Sequence, residues 1–136
     1  MTHPTSLTSF LQAIEDLTIT GINRGYNAPT GRISPADMPL SYMRAPSIRE
    51  GPLTGGGFGG GWPTLRCQLV VLVHPMQLET DPVRFSDTVT VMDGVSTAMR
   101  GADLAEGPVR WEMRAEVIFL PGGLYWAVIC EIETTG

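Results

Sequence analysis

Apolar and polar positions alternate most regularly in the stretch Trp111 to Glu133, WEMRAEVIFLPGGLYWAVICEIE. In its first run Trp111, Met113, Ala115, Val117 and Phe119 are apolar, with Glu112, Arg114 and Glu116 between them. In its second run the apolar set falls on Leu124, Trp126, Val128, Cys130 and Ile132. Two such runs around Pro121-Gly122-Gly123 predict a β-hairpin. A one-residue slip would set the apolar face of one strand against the charged face of the other, so the loop must hold an even number of residues. A Gly122-Gly123 loop puts Phe119 opposite Trp126, Val117 opposite Val128, Ala115 opposite Cys130, and Arg114 opposite Glu131. A Pro121-Gly122 loop puts Glu112 opposite Glu131. The first register is preferred because it makes an ion pair in place of a like-charge pair. The face bearing Met113, Val117, Phe119, Trp126 and Val128 is expected to be buried against helices, and the face bearing Glu112, Arg114, Glu116 and Glu131 to look outward.

Three further patterns supply the other elements. Leu7, Phe10, Leu11, Ile14 and Leu17 form one apolar stripe of a helix, with Ser6 as N-cap and an end near Leu17 to Thr20, before Gly21. Leu65 to His74, LRCQLVVLVH, reads as a central strand whose second face turns apolar toward its end, so that end is expected to be covered on both sides. Asp81-Pro82 marks a helix start and Gly101 a stop, with Phe85, Val89, Met92, Val95 or Ser96, and Met99 on one face. A shorter strand is expected at Leu40 to Arg44, in an edge position between Pro39 and Pro46. The expected fold is α+β: a roughly four-stranded antiparallel sheet with two helices in the order α-β-β-α-β-β, and a Gly-rich loop between the first two strands.

Composition narrows the function. A chain of 136 residues with 43% hydrophobic and 17% charged residues suits one globular domain over residues 1–136. No apolar run reaches the roughly 20 residues that span a membrane, and MTHPTSLTSF lacks the basic and apolar regions of a signal peptide, so a soluble, unprocessed chain is expected. Net charge is −5, and all 9 basic residues are arginine, which suits bidentate pairing at protein interfaces and gives no basic nucleic-acid footprint. Cys67 and Cys130 fall on apolar strand faces and are expected to be buried thiols rather than a disulfide.

Candidate chemistry is sparse. The run Gly51 to Trp62 holds six glycines in the seven residues Gly55 to Gly61. A phosphate-cradling loop of the P-loop type needs a lysine, and the chain has none; a dinucleotide fingerprint needs a strand directly before and a helix directly after. The loop is read either as a flexible connection or as a segment that orders on a partner, with Phe58 or Trp62 as anchor. His74 and the two cysteines lack the short spacings of a zinc site, and His74 is the one plausible base for a nucleophilic triad, so no catalytic, cofactor or metal residues are assigned. A histidine exposed at a strand end is the expected state of His74.

The order of elements carries a resemblance. An N-terminal amphipathic helix, the segment ADMPLSYMR at Ala36 to Arg44, a loop, a hydrophobic strand, a capped helix and a closing Trp-containing hairpin resemble, over nearly the whole chain, the tail terminator proteins of tailed bacteriophages. That resemblance implies a virion protein of the head-proximal tail, assembled in the host cytoplasm as a homo-oligomeric, usually hexameric ring. Such a ring caps the tail tube, ends its polymerisation and meets the head connector or stopper, while genome DNA passes through the lumen without sequence-specific binding. Arg44, Arg49, Phe58, Trp62, Arg114 and Glu131 are the expected interface residues. Another head-tail joining or tail-tube component is the neighbouring alternative. A small cytosolic α+β enzyme or ligand-binding domain, with its site in residues 21–63, is the alternative of a different class.

Overall fold

A computed structural model describes residues 7–19, 21–24, 38–49, 64–75, 81–101 and 109–134, without the side chains of residues 24, 81–85 and 109. The elements are α1 (Leu7–Glu15), β1 (Asn23–Arg24), β2 (Leu40–Arg49), β3 (Thr64–Pro75), α2 (Asp81–Gly101), β4 (Val109–Leu120) and β5 (Gly123–Thr134). The two helices and four long strands follow the α-β-β-α-β-β order, and the four strands are antiparallel. The two-residue β1 adds a short parallel partner to Leu40 and Ser41, giving the strand order β1-β2-β3-β5-β4. Ser6 and the Gly51 to Trp62 run lie outside the described residues.

Both helices lie over one face of the sheet. Phe10 and Ile14 of α1, and Val91, Val95 and Met99 of α2, pack with Leu65, Cys67, Leu69, Val71 and Val73 of β3 and with Val128, Cys130 and Ile132 of β5. This is the period-two set of each strand meeting the helical stripes. The opposite face carries a second cluster of Tyr42, Val70, Leu72, Ile118, Tyr125, Ala127 and Ile129. The C-terminal half of β3 is therefore enclosed on both sides, as its doubled apolar pattern implies.

Four details differ from the sequence reading. The helix α1 stops at Glu15, and Gly21 serves a later turn, with φ of 81° where the Ile22 N–H bonds the Ile19 carbonyl at 3.2 Å. The strand β2 runs on to Arg49 through a register shift between Arg44 and Ser47, where Ala45 adopts φ of 54°. On α2 the buried stripe is Thr88, Val91, Val95 and Met99, while Val89 is exposed, so the helix is rotated from the expected setting. The last difference is in the hairpin.

The hairpin pairs Leu120 with Gly123, Val117 with Trp126, Ala115 with Val128 and Glu112 with Glu131, which is the Pro121-Gly122 loop and not the preferred one. The parity of the faces is unchanged, but partners move by two residues. Proline has no N–H to give a closing pair, and the loop position spares it that demand. The like-charge pairing of Glu112 and Glu131 is relieved because Arg114 reaches diagonally to Glu131, at 2.8 Å.

Gly94, in the middle of α2, packs beside Ile19: a methyl group added there would meet the Ile19 Cγ2 at 3.8 Å, an ordinary contact. Gly94→Ala is expected to raise stability by about 0.5–1 kcal/mol, read from thermal melts, since alanine restricts the unfolded chain and favours the helix.

Candidate functional site

Beyond the second apolar cluster, the helix-free face of the sheet turns polar. Arg44 of β2, Gln68 of β3, Glu131 of β5 and Glu112 of β4 stand at successive register positions across the four strands. The Arg44 Nε donates to Gln68 Oε1 at 2.8 Å, and Gln68 Nε2 donates to Glu131 Oε1 at 3.2 Å. From the far side Arg114 donates Nη1 to Glu131 Oε2 at 2.8 Å and Nε to Glu116 Oε2 at 3.0 Å. Each link orients the next, so the amide of Gln68 has one setting that satisfies both neighbours.

The ladder fixes charge rather than poising it. The amide of Gln68, and then the Arg114 guanidinium, hold the Glu131 carboxyl below its ordinary range, while Glu116 and Glu131 push the Arg114 guanidinium up. Both stay ionised at neutral pH. Beside the ladder, Arg66 and Glu133 pair at 3.6 Å, and the surface is concave. A groove of about 520 Å³ runs there between Ser47 of β2, Arg66 and Gln68 of β3, Glu131 and Glu133 of β5, and Arg110 and Glu112 of β4.

A different surface forms at the hairpin tip. Phe119 is 80% exposed, Leu124 46% and Val117 38%, all on the helix side of the sheet. The expected burial of Val117 and Phe119 is thus corrected: the side chains of the helical core reach Val128 but not the tip. Nearby, a register shift between Leu72 and His74 brings His74 opposite Trp126. His74 is half-buried rather than exposed, and its Nδ1 and the Trp126 Nε1 are buried without a hydrogen-bond partner. The Tyr42 hydroxyl is likewise buried and unpartnered; burial raises its pKa, against the lowering effect of the Arg44 charge.

Cys67 and Cys130 are free and buried on the helix side. Burial pushes each thiol up to about 12, so neither is a nucleophile at neutral pH. Among the described residues, no three His, Cys, Asp or Glu side chains stand close enough to hold a metal ion, and no helix is long and apolar enough to cross a membrane.

Of the expected interface residues, Arg44, Arg114 and Glu131 come together in one ladder, and Arg49 stands exposed at the end of β2, apart from it. Phe58 and Trp62 lie outside the described residues. Sequence reasoning missed Gln68, the link that joins the two arginines. Its signal was the pair Arg66 and Gln68 on the face of β3 opposite Cys67 and Leu69. No protein-family model matches the chain, and comparison with curated proteins finds no match.

Proposed function

We propose that the chain is a structural protein of the tail terminator type: a virion protein at the head-proximal end of a phage tail, forming a ring of six copies. In this reading the ring caps the tail tube protein, ends tail polymerisation and presents its other side to the head connector or stopper, with DNA passing through the lumen. The observation that carries the reading is the hairpin tip, where Phe119, Leu124 and Val117 form an exposed apolar surface beyond the packed helix-side core. Such a surface suits a subunit contact or a seat on the tube. The net charge of −5 supports passage of DNA without adhesion to its phosphates, and the ladder offers fixed charges for recognition rather than a proton donor or acceptor poised near neutrality.

Deletion of the gene from the parent phage tests the proposal: over-long tails of uneven length are expected, and tails of normal, uniform length would refute it. Purified protein added to tail tubes is expected to appear in negative-stain images as a cap at one end. A ligand-binding module is the second reading, favoured by the groove of about 520 Å³, a volume in the range of small-molecule sites.

A further inference from the structure

The strand β4 is twelve residues long and, among the described residues, pairs with β5 alone. Among the described residues its other side is an open sheet edge, which proteins ordinarily shorten, charge or cover. Which residues face that edge follows from the hairpin loop. With Pro121 and Gly122 as a two-residue loop, Leu120 and Gly123 form the closing hydrogen-bonded pair, so the even residues of β4 spend their backbone groups on β5. The odd residues, from Trp111 to Phe119, direct theirs outward.

The side chains along this edge carry a pattern. On the helix-free face Arg110, Glu112, Arg114 and Glu116 alternate in sign, and reading the strand in reverse exchanges the signs. We propose that β4 is a self-pairing edge, on which a second copy of this chain adds antiparallel about a two-fold axis at Met113. Arg110 then meets Glu116, and Glu112 meets Arg114, each twice, in the non-hydrogen-bonded pairs where cross-strand side chains lie closest. On the helix side Trp111 lies opposite Ala115, a large residue against a small one.

Charge selects this register over its neighbours. A shift by two residues one way sets Glu112 against Glu112 and Arg110 against Arg114, and the other way sets Arg114 against Arg114 and Glu112 against Glu116. Slips of one residue would exchange the faces. Arg110 and Glu112 have no ion-pair partner within the subunit among the described residues, so the contact supplies one for each. The contact is isologous and closes at two copies, whereas a ring needs a heterologous contact, so the pairing stands independently of the ring proposal.

Sedimentation equilibrium on the full chain at low salt tests it. A monomer–dimer equilibrium that weakens as salt rises is expected. Glu112→Arg and Arg114→Glu each create two like-charge pairs and are expected to weaken the dimer by about tenfold or more, with unchanged circular dichroism. An equimolar mixture of the two variants is expected to regain wild-type affinity, because the substituted side chains face each other and the native Glu112 of one copy faces the native Arg114 of the other. The proposal is overturned by a monomer at all concentrations, by a mixture no tighter than its components, or by an oligomer indifferent to both substitutions. That last result would leave the ring proposal standing.

Discussion

The two ends of the terminal hairpin are built inside out with respect to each other. Toward Trp111 and Ile132 the helix side is packed and the opposite face carries the Arg44–Gln68–Glu131–Arg114 ladder. Toward the tip, Ile118, Tyr125 and Ala127 are enclosed on the helix-free face, while Phe119 and Leu124 stand in the open on the other. Between them, Ala127 to Cys130 are buried on both faces. Alternation along a strand therefore separates the faces, but what lies over each face decides which is interior, and that changes along a twelve-residue strand.

The sharpest way to break this contrast is to truncate the packed part of the helix-free face. Ile129→Ala removes a fully buried side chain of the second cluster and is expected to lower stability by about 2–5 kcal/mol in urea unfolding. Glu133→Ala, on the same face at the charged end, is expected to stay within about 0.5 kcal/mol. Equal losses would mean that the two halves of this face are not distinct.

Alkaline unfolding probes the packed helix side of the open end. Cys67 and Cys130 rise from 9.0 to about 12 in the folded state, so their contribution is complete below pH 9 and is lost as pH rises toward 12. Stability is expected to fall as pH rises across that window, and Cys67→Ala should flatten the slope. Glu131 has the opposite sign. Its pKa is lowered, so its stabilisation is present above the ordinary carboxylate range and lost as pH falls through the depressed value. Because Glu131 is partly exposed, Glu131→Gln should cost less than about 1 kcal/mol at neutral pH and nothing in strong acid. The smallest effect belongs to the open tip: Phe119→Ser should change stability by less than about 0.5 kcal/mol and, under the proposed function, should weaken capture of tail tubes in pull-down.

The element order, both helices, the doubled face of β3 and the parity of the hairpin were legible in the sequence, because each rests on a period. The register was not. The preferred register counted directly opposed charges alone, yet the long Arg114 side chain spans the diagonal and makes its ion pair in the other one. The reversal at the tip had a visible signal, since Ile118, Tyr125, Ala127 and Ile129 are apolar at positions that pattern with Glu112 and Glu131. Three of the four ladder residues, Arg44, Arg114 and Glu131, were named from the sequence. Gln68 escaped because a single amide on a strand carries no period and no charge, and only the register puts it between Arg44 and Glu131.

The kink in β2 has a consequence for the whole sheet. On that flank, among the described residues, β1 covers only Leu40 and Ser41, and the strand beyond is bent at Ala45 and carries a proline at 46, which offers no donor to a neighbour. Among the described residues the sheet therefore has one side open to a further strand and one that resists it. If β4 pairs with a second copy as proposed, a single receptive side joins subunits in couples and then stops, so strand addition ends in a finite particle rather than a growing fibre.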